Sequence, residues 1–419
     1  MATAKKKILM LTDHPLSTSG VGTQARFLID GLLRTGKYEF IVLGGAIKHE
    51  SYEVVKPHPD LTIVPVDGFG GRDRLRIMLA KERPDALFLF TDPRFFLWVW
   101  EMEEEVHQIC PIVYWHLWDQ CDMPPDFNRV LYESTDLVNC INWPTYTAVK
   151  SWVPERTNWV PHALPKGLYS QMTPEQRASI RAQALPGKPQ DEFVGLWVNR
   201  NAHRKRPGDV LMSWRLFVDA LKEKHGHTKA TLVMHTDPHD HEGPNLIKIV
   251  EHLKLFENVT FSVNRVSFPD MNAFYNMCDF TVNISSAEGF GLPTLEAAYV
   301  GRPAIALKTG GLTRQVVDHR DGSLNGIALE PEVKRVCGSQ NIPFIVEDHI
   351  SHETVARAFM EMYELGPEGR AKLGEKARNY VNTEFVHEKI VETWDTTMEE
   401  TIEKFKRGEG YKPWEMRTL

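Results

Sequence analysis

In the stretch Glu288-Gly-Phe-Gly-Leu-Pro-Thr-Leu-Glu296, two carboxylates lie eight positions apart. Between them come Gly289, Phe290, Gly291 and Leu292, then a proline. Proline suits the start of a helix, because the N–H it lacks would have no partner there. The apolar run 280–285 upstream reads as a buried strand. The whole segment therefore reads as strand, glycine-bearing loop and helix N-terminus. Free backbone N–H groups and the helix dipole at such a point favour an anion such as phosphate. Glu288 falls in the loop and Glu296 about one turn into the helix. Carboxylates beside an anion site do not hold the anion. They suit hydroxyl groups, for example those of a sugar.

Cations come from a second segment, Asn199-Arg200-Asn201-Ala202-His203-Arg204-Lys205-Arg206, directly after an apolar strand at 193–198. Arg offers phosphate a planar fork and Lys a compact point charge. A third segment, Ser19-Gly20-Val21-Gly22-Thr23-Gln24-Ala25, enters a helix and matches G-x-G-x-x-A. A dinucleotide site is rejected on two counts. Seven residues, 13–19, separate the strand end from the first glycine, and the second strand ends in Gly44-Gly45 with no acid for a ribose. A helix N-terminus facing a cleft survives that test. His116 closes an apolar strand in Tyr114-Trp115-His116-Leu117-Trp118-Asp119 and is a candidate cleft residue. His235, His239 and His241 fit no metal spacing and sit in a loop marked by Pro238 and Gly243, so no metal site is expected.

The elements that must position these residues alternate in type. Short apolar runs at 8–12, 40–44, 62–66, 86–91, 111–115 and 137–141 fill the first half. Runs at 193–198, 231–235, 259–262, 280–285 and 303–307 fill the second. Helical patterns separate them. In 209–221, Val210, Trp214, Phe217, Val218 and Leu221 share one face. Such alternation predicts an α/β fold with two Rossmann-like domains, whose parallel sheets face a central cleft. The expected organisation is a first domain over 1–165, a linker over 166–190 rich in proline, a second domain over 191–385 and a helical tail over 386–419. In the tail, Val391, Trp394, Met398, Ile402 and Phe405 line one face and should pack across the domains.

Bulk properties narrow the class. The chain has 419 residues, 42% hydrophobic and 25% charged, with a formal charge of −7 and a pI near 6.2. Residues 1–170 carry 18 Lys and Arg against 21 Asp and Glu. Bulk electrostatic attraction to nucleic acid is therefore not expected. The five cysteines, Cys110, Cys121, Cys140, Cys278 and Cys337, are scattered without a C-x-x-C, which suits a reducing compartment. The N-terminal Met-Ala-Thr-Ala-Lys-Lys-Lys runs straight into a strand, and no 18-residue apolar run occurs. A cytoplasmic protein with neither a signal peptide nor a membrane span is expected.

Taken together, these residues resemble the retaining GT-B glycosyltransferases of the family-4 type, most closely over about 190–325. Glu288 and Glu296 resemble that family's E-x7-E motif, and Arg200 and Lys205 its R-x4-K pair. Gly310-Gly311 resembles its glycine pair. Gly20-Val21-Gly22 resembles the glycine loop near the donor phosphates, and His116 the strand-end histidine. Trp159-Val-Pro-His162 is similar to the V-x-P-N-G segment, with His and Ala replacing Asn and Gly. The acid that often follows the glycine pair is replaced by Leu312-Thr313-Arg314-Gln315.

The resemblance implies a metal-independent hexosyltransferase that needs no cofactor beyond its co-substrate. That co-substrate would be a nucleotide-diphosphate sugar, with UDP-glucose as the default. Arg200 and Lys205 would hold the diphosphate, aided by N–H groups from Gly289 through Leu292. Glu288 would bind sugar hydroxyls, Glu296 the ribose, and His116 the sugar near its anomeric carbon. Replacing Glu288 or Lys205 by Ala should stop transfer and leave the fold intact.

Three further segments are similar to family members from tailed-phage genomes: 338–348, 234–238 and Phe127-Asn-Arg129. Some phage enzymes of this kind modify hydroxymethylated pyrimidines in DNA. That implies DNA as an acceptor, in a host cytoplasm, with Arg72, Arg74, Arg76 and Arg94 as the surface to meet it. A glycan, lipid or small-molecule acceptor fits the motifs equally. A nucleotide-sugar epimerase or hydrolase on the same fold, or a non-catalytic sugar-binding protein, are the other readings.

Overall fold

The computed structural model describes residues 4–119, 126–340 and 342–410. Eight strands form the first sheet: β1 (Lys6–Asp13), β2 (Tyr38–Gly45), β3 (Val55–His58), β4 (Leu61–Pro65), β5 (Ala86–Thr91), β6 (Ile112–His116), β7 (Leu137–Cys140) and β8 (Thr157–Trp159). Their spatial order is β3-β4-β2-β1-β5-β6-β7-β8, and only β3 runs antiparallel to its neighbour. Six strands form the second sheet: β9 (Phe193–Val198), β10 (Ala230–His235), β11 (Val259–Ser262), β12 (Phe280–Asn283), β13 (Ala304–Leu307) and β14 (Ile327–Leu329). Their order is β11-β10-β9-β12-β13-β14, parallel throughout. Helices cover both faces of each sheet. Central strands are therefore buried on both sides and read as unbroken apolar runs, as in Ala86-Leu-Phe-Leu-Phe-Thr91.

Strand order reverses between β1 and β5 in the first sheet and between β9 and β12 in the second. Such points open a crevice at the carboxyl ends of the strands. The loops after β1, β9 and β12 carry the glycine, cation and carboxylate segments.

Several elements depart from the sequence expectation. β6 ends one residue later, which places His116 in the ladder. β12 stops at Asn283, because Ser285 turns its hydroxyl onto the Asn283 side chain and leaves the strand. A two-stranded hairpin, β15 (Val333–Ser339) and β16 (Ile342–His349), follows β14 and belongs to neither sheet. The linker region holds the helix Pro174–Ala184, opened by a Thr173/Gln176 capping box. That helix is fastened to the second domain. Arg177 donates to the Asn276 carbonyl at 2.7 Å, and Arg181 pairs with Asp279 at 3.1 Å.

The helix His387–Lys406 returns to the first domain. Trp394 packs on Phe88 and Trp115, Lys6 pairs with Glu399 at 2.7 Å, and Tyr38 donates to Asp395 at 2.7 Å. Met398 and Ile402 are fully buried beside Trp394, while Val391 and Phe405 are partly covered. Residues 411–419 of the expected tail and Cys121 lie outside the described residues. The four described cysteines are free thiols. No described helix is long and apolar enough to cross a membrane.

Candidate functional site

The floor of the crevice is a buried ion pair. Lys205 ends the short turn after β9, and Glu288 lies in the loop after β12. The Lys205 ammonium donates to Glu288 Oε2, and the Ser285 hydroxyl donates to the same oxygen at 3.2 Å. Both side chains are about nine-tenths covered. Burial works against both charges. For Glu288, the charges of Lys205 and Arg204 and the bonds from Lys205 and Ser285 outweigh it, and the carboxyl is held below its ordinary value.

Around this pair the backbone is tightly packed. Gly291 adopts φ +90° and opens the helix Leu292–Tyr299, with Pro293 in its first turn. Gly310 and Gly311 lie directly against the carboxylate loop. A Cβ on Gly310 would sit 1.8 Å from the Glu288 carbonyl oxygen, and one on Gly311 2.4 Å from Phe290 Cα. The Gly311 N–H donates to Glu288 O at 3.1 Å, and Gln315 Nε2 to Phe290 O at 2.7 Å. The glycine pair is thus a steric requirement of the Glu288–Gly291 loop.

A second helix N-terminus meets this one from the other domain. Ser19 caps the helix Gly20–Leu33, accepting from the Gly22 N–H at 2.9 Å while its hydroxyl donates to Asp13 at 2.6 Å. Gly20 abuts Leu292, whose Cδ1 would lie 3.2 Å from a Cβ at position 20. Gly22 has no room for a side chain between Ser17 and the His14 carbonyl. Val21 is half-buried beside them. Two helix N-termini therefore converge on one space.

Other expected residues sit differently. Arg200 turns away from Lys205. Its guanidinium forks onto Asp240 at 2.7 and 3.1 Å and pairs with Glu242 at 3.0 Å, with half of the side chain exposed. Arg204 turns inward instead. It donates to the Ala287 carbonyl at 3.1 Å and reaches Asp119 of the first domain at 3.5 Å. Asp119, then Glu288 and Asp92, hold its pKa above the ordinary arginine value, against burial. Glu296 is brought to Tyr275, whose hydroxyl donates to it at 2.5 Å, and Tyr169 bonds it as well. Burial raises its carboxyl despite these bonds.

His116 has no exposed surface. Its Nε2 meets the Tyr132 hydroxyl at 2.9 Å, its Nδ1 has no hydrogen-bond partner, and burial pushes its pKa down to about 3. Its ring packs edge-on between Tyr114 and Tyr132. His162 is buried too, edge-on among Phe90, Trp115 and Phe290. Arg314, in the run after the glycine pair, lies 3.4 Å over the Trp143 ring and 4.8 Å from that of Trp159. It ties the second domain to the first. Among the described residues no group of three or more His, Cys, Asp or Glu side chains is placed to hold a metal ion.

Sequence reasoning missed Arg204, Asp119, Tyr169, Tyr275 and Asn142. Asn142 caps the helix Trp143–Trp152 and donates across the crevice to the Gly289 carbonyl at 3.0 Å. Its signal was an Asn before Trp-Pro at a strand end, which marks a cap.

Residues 181–380 match the family model of glycosyl transferases group 1. Over that stretch, just under half of the chain, the sequence is similar to the group 1 glycosyltransferases. The D-inositol 3-phosphate glycosyltransferase of Pseudarthrobacter chlorophenolicus is 36% identical over 80 residues, 19% of this chain and 19% of that protein. The matched stretch thus spans about a fifth of that relative. Solved structures extend the likeness to both domains. Sucrose-phosphate synthase from Thermosynechococcus elongatus aligns with a TM-score of 0.71 at 16% identity, over 94% of this chain and 99% of that one. Anabaena HepE, solved in complex with UDP-glucose, gives 0.66 at 18% identity, over 94% and 99%. The fold is GT-B.

Proposed function

We propose that the chain is a group 1 glycosyltransferase whose two domains together move a sugar from a nucleotide-diphosphate sugar to a hydroxyl acceptor, with retention at the anomeric carbon. The observation that carries the reading is the Lys205–Glu288 pair, buried where two helix N-termini converge. A diphosphate placed there would meet backbone N–H groups and the Lys205 ammonium, and the sugar attached to it would meet Glu288. HepE, a neighbour in fold, binds UDP-glucose, which supports glucose and uridine as the default donor.

Catalysis in this reading is electrostatic. The bond between the anomeric carbon and the phosphate oxygen breaks, and negative charge grows on the leaving diphosphate. Lys205 and the helix N-termini are already oriented to meet that charge, so little reorganisation is needed. The second cation is Arg204, because Arg200 is engaged by Asp240 and Glu242. Asp119 lies beside Arg204, 3.5 Å away. With these cations neutralising the diphosphate, no metal ion is required. Glu296, held by Tyr275 and Tyr169, accepts from ribose hydroxyls in this reading. The acceptor hydroxyl attacks from the face the diphosphate leaves, and its proton passes to the departing phosphate.

Of the four arginines expected to meet hydroxymethylated DNA, Arg72 is paired with Glu101, Arg76 with Glu105 and Arg94 with Asp92, while Arg74 is exposed. A polyanion would have to displace those carboxylates. The buried thiols of Cys110, Cys140 and Cys278 suit a cytoplasmic setting.

The test is a transfer assay with UDP-glucose and other nucleotide sugars against mixed hydroxyl acceptors, read by nucleotide release and by NMR of the new anomeric proton. An α-linked product from α-linked UDP-glucose is expected. An inverted product would refute retention, and no nucleotide release from any donor would refute the reading as a whole.

A further inference from the structure

The β15–β16 hairpin gives the crevice a third wall. It is anchored to the carboxylate loop, where the Asp348 N–H donates to the Ser286 carbonyl at 2.7 Å, and to Arg206, which bonds His349. It reaches the first domain through Phe344, whose ring meets Phe127 edge-on with centroids 5.2 Å apart. Phe127 in turn packs against Trp118, two residues beyond His116.

Between the hairpin and the site loops lies a cavity of about 380 Å³. Arg335, Glu347 and His349 line it from the hairpin, and His203, Arg206 and Ser286 from the loops. His203 is two residues from Lys205, and Ser286 two from Glu288, so the cavity adjoins the proposed donor half-site. Lys205 and Glu288 are not among its walls.

The charges of this cavity are balanced. Arg335 sits opposite Glu347 in the hairpin register, and Arg206 is paired with Asp209 at 2.8 Å. A phosphate would face two carboxylates, and a metal ion two guanidinium groups. A neutral ligand rich in hydroxyls satisfies both kinds of wall, because each hydroxyl donates to a carboxylate or accepts from Arg or His.

We infer that this cavity is an acceptor subsite for a neutral saccharide unit, built by the hairpin beside the donor half-site. The inference rests on the glycosyltransferase reading and narrows its acceptor to a glycan or glycoside.

The test uses the full chain and the doubly substituted R335A/E347A, which keeps the hairpin's charge balance. Donor binding is read first, by thermal shift with nucleotide sugars. Acceptor KM is then read with a panel of glucose-, galactose-, mannose- and N-acetylhexosamine-terminated oligosaccharides and with a duplex containing 5-hydroxymethylcytosine. The expected result is transfer to at least one saccharide, an acceptor KM raised about tenfold or more in the variant, and unchanged donor binding. Donor binding without transfer to any saccharide overturns the subsite and leaves the glycosyltransferase reading standing. The same holds for an acceptor KM that ignores the substitutions, or for transfer to the duplex alone. Failure of every donor to bind overturns both.

Discussion

Lys205 and Glu288 are each other's compensation, and that changes what substitution should do. Removing one member of a buried ion pair leaves the other charge unpaired, which costs roughly 3–5 kcal/mol. Lys205→Ala and Glu288→Ala should therefore lose stability as well as transfer, contrary to the simple expectation of an intact fold. The pair variant Lys205→Met with Glu288→Gln should recover most of the stability in a urea titration. It should still transfer at least ~100-fold more slowly. Normal rates in that variant would remove the site assignment.

The buried histidines make a second residue-scale prediction. His116 and His162 are pushed down to about 3 by burial, whereas in the unfolded chain they titrate near 6.5. Between those values the unfolded state binds protons that the native state does not. Stability should fall as pH drops from about 6.5 toward 3. His162→Phe, set among aromatic rings, should flatten that slope in melting curves, and an unchanged slope would count against the assignment. At this scale the motif spacing assigned Glu288 and Lys205 to one half-site, and the fold brings their side chains into contact. It could not tell which arginine of the 200–206 run turns inward. Asp240 and Glu242, from another loop, decide that by holding Arg200.

Elements were more legible than side chains. β5 and β9 have the bounds their apolar runs suggest, because strands buried on both faces need no alternation. The β15–β16 hairpin was not, since Val333-Lys-Arg-Val-Cys337 is largely exposed and carries no buried face to read. The close approach of Gly310-Gly311 to the carboxylate loop lends itself to a direct prediction. Gly310→Ala would add a Cβ 1.8 Å from Glu288 O at a φ of +47°, so the loop must move. It should cost more than about 1 kcal/mol and weaken nucleotide-sugar binding. Gly322→Ala, at φ +74° with open space around it, is the control. It should lose some stability and leave binding unchanged. Equal binding losses in both variants would mean the effect is not local to the loop.

At the scale of the molecule, the chain's last described helix completes the first domain rather than the second. Trp394 is fully buried against Phe88 and Trp115. Trp394→Ala should cost about 3–5 kcal/mol in chemical denaturation, and a loss below 1 kcal/mol would argue against that packing. The two domains are then held together by Arg314 on Trp143 and Trp159, by Asn142 on Gly289, and by Arg204 with Asp119. These contacts set the spacing of the loops that face each other across the crevice. The central claim is that this crevice binds a nucleotide-diphosphate sugar through the Lys205–Glu288 floor. Its most direct test is the melting temperature of the wild type and of the Lys205→Met/Glu288→Gln pair, each titrated with UDP-glucose, ADP-glucose and GDP-mannose. A ligand at ~100 times its Kd adds on the order of 2.7 kcal/mol. The account predicts that at least one of these raises the wild-type Tm by a few degrees and leaves the variant unmoved. No shift with any of them, or equal shifts in both proteins, would contradict it.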